Sequence, residues 1–206
     1  MGLLTAAICP LPIPLCEWLQ PDERRFASGL AEWRRREWLA GRLCLGEAIA
    51  HFTDLRPPML PTPSGAPTMP SGLVGSISHK GPLAAALVTS GKAGIGVDVE
   101  QVEEIDATLA KKVLTPREYS SIAALDDRLK LQRIVSYFSI KEAVYKSLDP
   151  ARQSDIEFDD IEVDVTAIVR TEWFAAEATV RGYAVPFSAG VLIDGQWVLA
   201  VAARTG

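Results

Sequence analysis

The proline-rich segment 56–72, RPPMLPTPSGAPTMPSG, limits what this chain can fold into more than any other stretch. Proline lacks an amide hydrogen and fixes its own φ angle, so the segment can form neither a regular helix nor a central strand. It is therefore either a linker between domains or an ordered loop that lies over a site. Residues before it have helical periodicity, whereas residues after it have the pattern of strands.

One long helix is predicted before this segment, from Pro21 to about residue 53. Proline suits the first position of a helix, because the amide at that position has no intrahelical partner. Apolar residues then recur at helical intervals, namely Phe26, Leu30, Trp33, Leu39, Leu43 and Ile49.

Apolar strands are predicted after the proline-rich segment, over LVGSISH at 73–79 and LAAALVTSGKAGIGVDVE at 83–100. A glycine-containing turn near Ser90 and Gly91 divides the second run into two joined strands. We expect these strands to form one cluster that ends in acidic residues.

Two acids close the strand GIGVDVE, residues 94–100. Side chains alternate along a strand, so Asp98 and Glu100 point to the same face. Adjacent carboxylates repel each other and resist burial. The pair is therefore tolerable only at a hydrated strand end or around a cation.

A helix start is predicted in LTPREYSSI, where Thr115 can cap, Pro116 suits the first helical position and Glu118 completes a capping box. This pattern gives Glu118 a structural role. A second helix is predicted over 127–148, DRLKLQRIVSYFSIKEAVYKSL. Its apolar stripe consists of Leu131, Ile134, Val135, Phe138 and Val144.

The end of the chain, FSAGVLIDGQWVLAVAAR at 187–204, is predicted to be a hairpin with Asp194 and Gly195 as its two-residue turn. Two strand pairs, each preceded by helix, indicate an α+β fold with a duplicated unit. The acidic stretch DIEFDDIEVDV at 155–165 is interpreted as a solvated strand or turn.

Composition excludes several classes of function. The 206 residues carry a net charge of -5, which argues against a dedicated nucleic-acid binder. No apolar run approaches the ~20 residues that span a bilayer, and the start lacks the basic region of a secretory signal, so we expect a cytoplasmic protein without a membrane partner. Cys9, Cys16 and Cys44 form no CxxC pair and are predicted to be reduced packing residues.

A metal site built from several histidines is excluded as well, because His51 and His79 are the only two histidines. Any metal ion should therefore be a hard cation bound by oxygen.

Glu142 and Lys146 lie four residues apart on one predicted helical face, with Lys141 beside them. Two structural explanations exist for these residues. Glu142 and Lys146 could form an exposed salt bridge, and Ser139 with Glu142 has the spacing of a capping box. Apolar periodicity continues through Ser139, which weakens the capping explanation.

Four sequence blocks together resemble the 4'-phosphopantetheinyl transferases of the larger surfactin/enterobactin-synthetase type. The two signature blocks are GIGVDVE and FSIKEAVYKSL, and the other two are RRREWLAGRLCLGEAI and GAPTMPSGLVGSISHKGPLAAALV. They occur in the family's order and cover roughly residues 33 to 148.

The resemblance implies an enzyme that transfers the phosphopantetheine arm of coenzyme A to a serine of an apo carrier protein and releases 3',5'-ADP. Asp98, Glu100 and Glu142 would hold one Mg²⁺, which prefers oxygen ligands. Lys146 would stabilise charge on the phosphate, and Lys141 could join it. Either Glu142 or a metal-bound water would take the serine proton.

The resemblance also implies phosphate contacts in the N-terminal half. Ser78 and His79 look like contacts to the pyrophosphate and the 3'-phosphate. Arg34 and Arg42, eight residues apart, would bind the 3'-phosphate, whereas Arg35 would face solvent. Many relatives carry a basic residue where this chain has Ser64.

The implied fold is α+β, with two similar halves at 1–97 and 98–206 related by a pseudo-twofold and coenzyme A in the cleft between them. The proline-rich segment would then be an ordered loop near the nucleotide. Two halves in one chain imply a monomer. The acceptor could be an acyl, peptidyl or aryl carrier, with a siderophore or other nonribosomal peptide pathway favoured.

Two alternatives to this function are kept. The chain could be a non-catalytic module of the same fold that binds coenzyme A or a nucleotide. It could also be a Mg²⁺-dependent phosphotransferase with another substrate, although no glycine-rich phosphate-binding loop of known spacing is present.

Overall fold

The structure, a computed structural model, describes residues 2–8, 18–63, 65–91, 93–104, 107–165 and 173–204. The chain divides into two compact units, Met1–Lys92 and Ala93–Gly206. The predicted boundary between residues 97 and 98 would cut a single strand, Ile95–Gln101. Cys9, Cys16 and Ser64, about which the sequence made predictions, lie outside the described residues.

The first unit contains an antiparallel three-stranded sheet with the order β1-β3-β2. Its elements are β1 Gly2–Ile8, α1 Pro21–Ser28, α2 Glu32–Ala50, β2 Leu73–Lys80 and β3 Leu83–Ser90. Helix α2 packs on this sheet, and the shared core contains Ala40, Cys44, Leu45, Ala48, Ile49, Met59, Ala84, Ala86 and Val88. The prediction that Cys44 is a buried packing residue is confirmed.

The single long helix predicted from Pro21 is wrong, because two helices occupy this region. Pro21 is the first residue of α1, as predicted, but the helix ends at Ser28 and is followed by Gly29 as its C-cap. Ala31, the N-cap of α2, has an extended ψ of 150°, so the backbone leaves the helical conformation between the two helices.

The proline-rich segment is an ordered loop inside the first unit, so the linker interpretation is wrong. Pro61 and Pro67 form an isolated antiparallel bridge, and the amide of Thr62 donates to the carbonyl of Ala66 at 2.8 Å. The amide of Met59 donates to the buried carboxylate of Glu23 at 2.9 Å, which fastens the loop to α1.

The second unit contains an antiparallel five-stranded sheet with the order β4-β8-β7-β6-β5. Its strands are β4 Ile95–Gln101, β5 Ile161–Val165, β6 Trp173–Val180, β7 Phe187–Asp194 and β8 Trp197–Arg204. Its helices are α3 Ala110–Val113, α4 Pro116–Ser121, α5 Asp127–Ser147 and α6 Pro150–Gln153.

The core of this unit lies between α5 and the sheet. Helix α5 contributes Ile134, Val135, Tyr137, Ile140, Ala143 and Val144, and the facing strands contribute Ile161, Ala178, Phe187, Val191, Val198 and Ala200. The predicted helix over 127–148 is therefore confirmed, and the side chain of Asp126 caps its first turn.

The local predictions for the second unit are confirmed, except that the turn of the C-terminal hairpin lies one residue later than predicted. The capping box between Thr115 and Glu118 is present at the start of α4. The hairpin of β7 and β8 is also present, but Asp194 pairs with Trp197, so its turn consists of Gly195 and Gln196, one residue later than predicted.

The predicted single cluster of strands at 73–100 is wrong. Strand β3 pairs with β1 and β2, whereas β4 pairs with β8 in the other sheet. Ser90 and Gly91 thus end one sheet instead of turning into a hairpin.

The α+β class is confirmed, because each unit places a long helix on an antiparallel sheet. The pseudo-twofold relation between the two halves stays a prediction. Within the described residues, no helix is long and apolar enough to cross a membrane.

Candidate active site

The acids at the end of β4 meet the last two turns of α5. The ammonium of Lys146 lies 2.6 Å from Oδ1 of Asp98, whose side chain is 4% exposed. The same ammonium donates to the carbonyl of Val97 at 3.2 Å. One lysine therefore connects the helix to both the backbone and the carboxylate of the strand.

Glu142 lies one helical turn before Lys146 and is half-buried. Burial raises the pKa of Glu142 above its ordinary value, and the carboxylates of Asp98 and Glu100 raise it further. The ammonium of Lys146 lowers the same pKa and partly offsets them. Three carboxylates and one ammonium therefore share one electrostatic neighbourhood.

The contacts of Lys146 and Ser139 exclude both structural explanations for this part of α5. Lys146 forms its ion pair with Asp98 on the neighbouring strand, so it is more than the exposed helical partner of Glu142. Ser139 is fully buried in the middle of α5, which runs unbroken from Asp127 to Ser147. The capping-box explanation for Ser139 is therefore wrong.

Lys141 is not in the group that could bind phosphate, although the sequence suggested that it could be. Its side chain has no exposed surface, and its ammonium lies 2.7 Å from Oε2 of Glu118. It also donates to the carbonyls of Val113 at 2.7 Å and Phe158 at 2.9 Å. An ammonium has three donors, and the protein occupies all of them.

Burial lowers the pKa of Lys141, and Glu118 opposes this change. Consecutive helical residues point about 100° apart, so Lys141 and Glu142 cannot face the same partner. Their adjacent positions in the sequence could therefore have shown that Lys141 and Glu142 do not belong to the same site.

Glu118 does more than the capping that the sequence predicted. Besides binding Lys141 and the amide of Thr115, its carboxylate accepts a hydrogen bond from the amide of Val163 at 2.8 Å. One buried carboxylate thus joins α4, α5 and β5.

His79 and Arg34 lie together in the first unit. Nη1 of Arg34 is 3.2 Å from Nε2 of His79 and 3.2 Å from Oε2 of Glu37, and Nδ1 of His79 is 3.7 Å from Oε1 of Glu37. Sequence reasoning missed Glu37. The signal for it was its position three residues after Arg34, which places both on one helical face.

Arg42 is deeply buried, with a residue exposure of 4%. The central carbon of its guanidinium lies 4.9 Å from the centre of the Trp38 ring. Its Nε and Nη1 have no hydrogen-bond partner among the described residues. Burial lowers the pKa of Arg42 to about 10, and Glu23 partly offsets this effect, so the group stays charged at neutral pH.

A buried cation with open donors is what an anion site requires. Arg34, by contrast, is half exposed, and Arg35, predicted to face solvent, is partly buried. Ser78 is buried on β2 next to His79, and strand alternation directs these two side chains to opposite faces.

Asp98, Glu100 and Glu142 are the acids that could bind a metal ion. In the part of the chain that the structure describes, no group of three metal-ligating side chains is already gathered around one point. The donor chemistry nevertheless fits a hard cation, because Asp98, Glu100 and Glu142 are oxygen donors in one ionic group. Burial raises the pKa of Glu142, and the carboxylates of Asp98 and Glu100 add to this effect.

Comparison with known proteins matches both units to one family. Residues 22–89 match the 4'-phosphopantetheinyl transferase N-terminal domain, and residues 94–202 match the 4'-phosphopantetheinyl transferase superfamily.

Individual relatives agree with this match. The 4'-phosphopantetheinyl transferase Svp of Streptomyces mobaraensis is 30% identical over 182 residues, which cover 86% of this chain and 71% of that protein. The transferase Npt of Nocardia iowensis is 28% identical over 188 residues, 87% of this chain and 84% of its own. Enterobactin synthase component D of Escherichia coli (strain K12) is 29% identical over 132 residues, 63% of this chain and 61% of its own.

Since the superfamily match alone spans more than half of the sequence, and a relative 30% identical matches most of it, the family is established. The chain belongs to the 4'-phosphopantetheinyl transferases, the enzymes that transfer phosphopantetheine from coenzyme A to carrier proteins.

Proposed function

We propose that this enzyme modifies a serine of an apo carrier protein with the help of a Mg²⁺ ion held by Asp98, Glu100 and Glu142. The observation that carries the proposal is the ionic group on β4 and α5. In it, Lys146 contacts Asp98, and both acids of β4 add to the effect of burial in raising the pKa of Glu142. When bound, Mg²⁺ would neutralise charge on the phosphates of coenzyme A.

The reaction exchanges one P–O bond for another. The serine oxygen attacks the phosphorus on the pantetheine side of the coenzyme A pyrophosphate, and the bond to the second phosphate breaks, which releases 3',5'-ADP. The serine hydroxyl must lose its proton during this step. Glu142 is our candidate for the base, because its carboxylate lies one helical turn from Lys146 in the ionic group proposed to hold the reacting phosphates.

Lys146 is our candidate for stabilising the leaving phosphate. Its ammonium sits at the same group of acids, one helical turn from Glu142. A cation fixed beside the reacting bond stabilises charge as it develops, without the cost of reorienting solvent.

Residues of the first unit would bind the remaining phosphate of coenzyme A. Arg42 is the main candidate for the 3'-phosphate, because its guanidinium is already buried and has two nitrogens without a partner among the described residues. Arg34 and His79, in mutual contact, would add donors at the surface, and Ser78 is a further candidate.

The acceptor is an acyl, peptidyl or aryl carrier protein. One relative is named as a component of enterobactin synthase, which supports a role in siderophore or other nonribosomal peptide synthesis. The monomeric state and the cytoplasmic location expected from the sequence stay predictions.

A transfer assay tests this function. The purified protein is incubated with coenzyme A, Mg²⁺ and a panel of apo carriers, and each carrier is examined for the mass of one phosphopantetheine group on its serine. We expect transfer that disappears with excess EDTA and with Asp98→Ala. Asp164→Ala is the matched control, because Asp164 is an exposed acid on β5 outside the proposed site.

Two results would contradict the proposal. Binding of coenzyme A without transfer to any carrier would favour a non-catalytic module. Transfer that persists in EDTA, or in Asp98→Ala at limiting Mg²⁺, would remove the metal ion from the account.

A further inference from the structure

Two glycines of the GIGVDVE strand lie against the backbone of α5. A Cβ atom on Gly96 would be 1.8 Å from the carbonyl oxygen of Ala143, and one on Gly94 would be 2.0 Å from the carbonyl oxygen of Ser147. Neither glycine has a positive φ angle. The backbone conformation therefore does not require glycine at these positions, but the close approach of the helix does.

We propose that Gly96 is a positioning residue of the transfer reaction. Its missing side chain allows α5 to approach β4 closely enough to hold Glu142 and Lys146 against Asp98 and Glu100. The inference rests on the proposed function and adds to it a residue that contacts no substrate.

The contact point lies next to the proposed catalytic groups. Gly96 is two residues before Asp98, and strand alternation places both on the same face of β4. On the helix, Ala143 directly follows Glu142. A displacement at this contact is therefore transmitted to the acids within one or two residues.

Lys146 spans the same contact. Its ammonium reaches the carbonyl of Val97 at 3.2 Å and Oδ1 of Asp98 at 2.6 Å. Hydrogen bonds of this kind weaken steeply beyond their normal range, so a wider gap between helix and strand would break them.

An alanine at Gly96 would force such a gap. Its Cβ would lie 1.8 Å from a backbone oxygen, well inside the roughly 3.5 Å of an ordinary contact. The clashing atom belongs to the backbone of α5, so no side-chain rotation relieves the clash. Strand and helix must therefore separate by roughly 1 Å or more, a shift that can reduce a rate by about 10²-fold.

The test measures transfer by Gly96→Ala at saturating coenzyme A and Mg²⁺. We expect kcat to fall by roughly 10²-fold. The KM for coenzyme A should change little, because the residues proposed to bind its 3'-phosphate, among them Arg42, belong to the other unit. A crystal structure of the variant should show the Asp98–Lys146 distance lengthened beyond hydrogen-bond range.

Val191→Ala is the matched control for lost stability. Val191 is fully buried on β7 in the same core, so its truncation also destabilises the unit but leaves the β4–α5 contact in place. We expect this variant to keep the wild-type kcat at a temperature where it is folded.

The proposal is overturned if Gly96→Ala keeps wild-type kcat, or if its loss equals that of Val191→Ala. If Gly96→Ala does not fold, the same measurements on Gly94→Ala test the proposal. The Cβ of this variant meets Ser147 of α5 just before β4, where the chain is less buried. Gly94→Ala should lower kcat at least about tenfold with a KM near that of the wild type, and unchanged kcat would reject the proposal. If the wild type modifies no carrier, the proposed function itself is rejected. If the wild type is active but the crystal structure of Gly96→Ala shows an unchanged Asp98–Lys146 distance, only the positioning role of Gly96 is rejected.

Discussion

Lys141 and Arg42 are both buried cations on the long helix of their unit, but the protein satisfies only one of them. The ammonium of Lys141 has a carboxylate and two carbonyls as partners. The guanidinium of Arg42 stacks on Trp38, and two of its nitrogens have no partner among the described residues. The sequence alone suggested a phosphate contact for both.

Burial of a cation therefore does not by itself identify a binding site. Removing a charge from water is costly, and the cost is recovered only when its donors find acceptors. The fold supplies those acceptors for Lys141. For Arg42, an anionic ligand would supply them.

The largest expected effect is the loss of stability when the buried ion pair of Lys141 and Glu118 is broken. Lys141→Met leaves the carboxylate of Glu118 buried without its cation, and removing one partner of a buried pair typically costs about 3–5 kcal/mol of stability. Urea denaturation measures the loss. The double variant Lys141→Met/Glu118→Gln should recover part of it, and a single variant as stable as the wild type would show that the pair contributes little.

The same substitution at Arg42 should act differently. Arg42→Met removes a buried charge whose nitrogens are partly unsatisfied, so we expect the free energy of unfolding of the ligand-free protein to stay the same or increase. A loss as large as that of Lys141→Met would mean that Arg42 is as fully paired as Lys141. The comparison between the two cations would then fail.

The next effect concerns the ligand of Arg42. Arg42→Ala should raise the KM for coenzyme A by roughly tenfold to a hundredfold, since a hydrogen bond to a charged group contributes about 1.5–3 kcal/mol. The KM for dephospho-coenzyme A, which lacks the 3'-phosphate, should change much less. Arg35→Ala, seven positions earlier on α2, is the control. Equal losses with both substrates would assign Arg42 a packing role.

Features that depend on a few neighbouring residues were predictable from the sequence. The capping box at Thr115, the extent of α5 and the C-terminal hairpin all follow from spacings of four residues or fewer. The acids of β4 and the Glu142–Lys146 pair were predictable because strand and helix periodicities fix which side chains share a face.

Features that depend on distant partners were not predictable in this way. Strand β4 pairs with β8, about a hundred positions later, so the sequence could not show that it leaves the sheet of β3. The pairing of Lys141 with Glu118 also spans two helices. Residue type alone could not distinguish this lysine from one that binds phosphate.

The smallest expected effect concerns the pH dependence of stability. The folded protein raises the pKa of Glu142, so the folded state binds that proton more tightly than the unfolded state does. Stability from this group is therefore lost as pH rises from the ordinary value of about 4.3 through the raised value.

Glu142→Gln removes the carboxyl group whose ionisation lowers stability as the pH rises. We expect the metal-free variant to have a higher Tm than the metal-free wild type at pH 7, with the difference vanishing below about pH 4. Glu103→Gln, at an exposed acid just after β4, is the control and should change Tm at neither pH. A Glu142→Gln variant less stable than the wild type at pH 7 would show that the Glu142 carboxylate is stabilised by its surroundings.

The central claim is that Lys146 acts in the reaction while Lys141, five residues earlier on the same helix, only supports the fold. Single-turnover transfer to a carrier protein tests this claim with Lys146→Met and Lys141→Met, which both remove a charge and keep most of the aliphatic stem. We predict that Lys146→Met lowers the rate by at least about tenfold, and by up to roughly 10³-fold, at a temperature where it is folded. Lys141→Met should lower Tm and keep a near-wild-type rate at a temperature where it is folded. A Lys146→Met variant as fast as the wild type would contradict the claim.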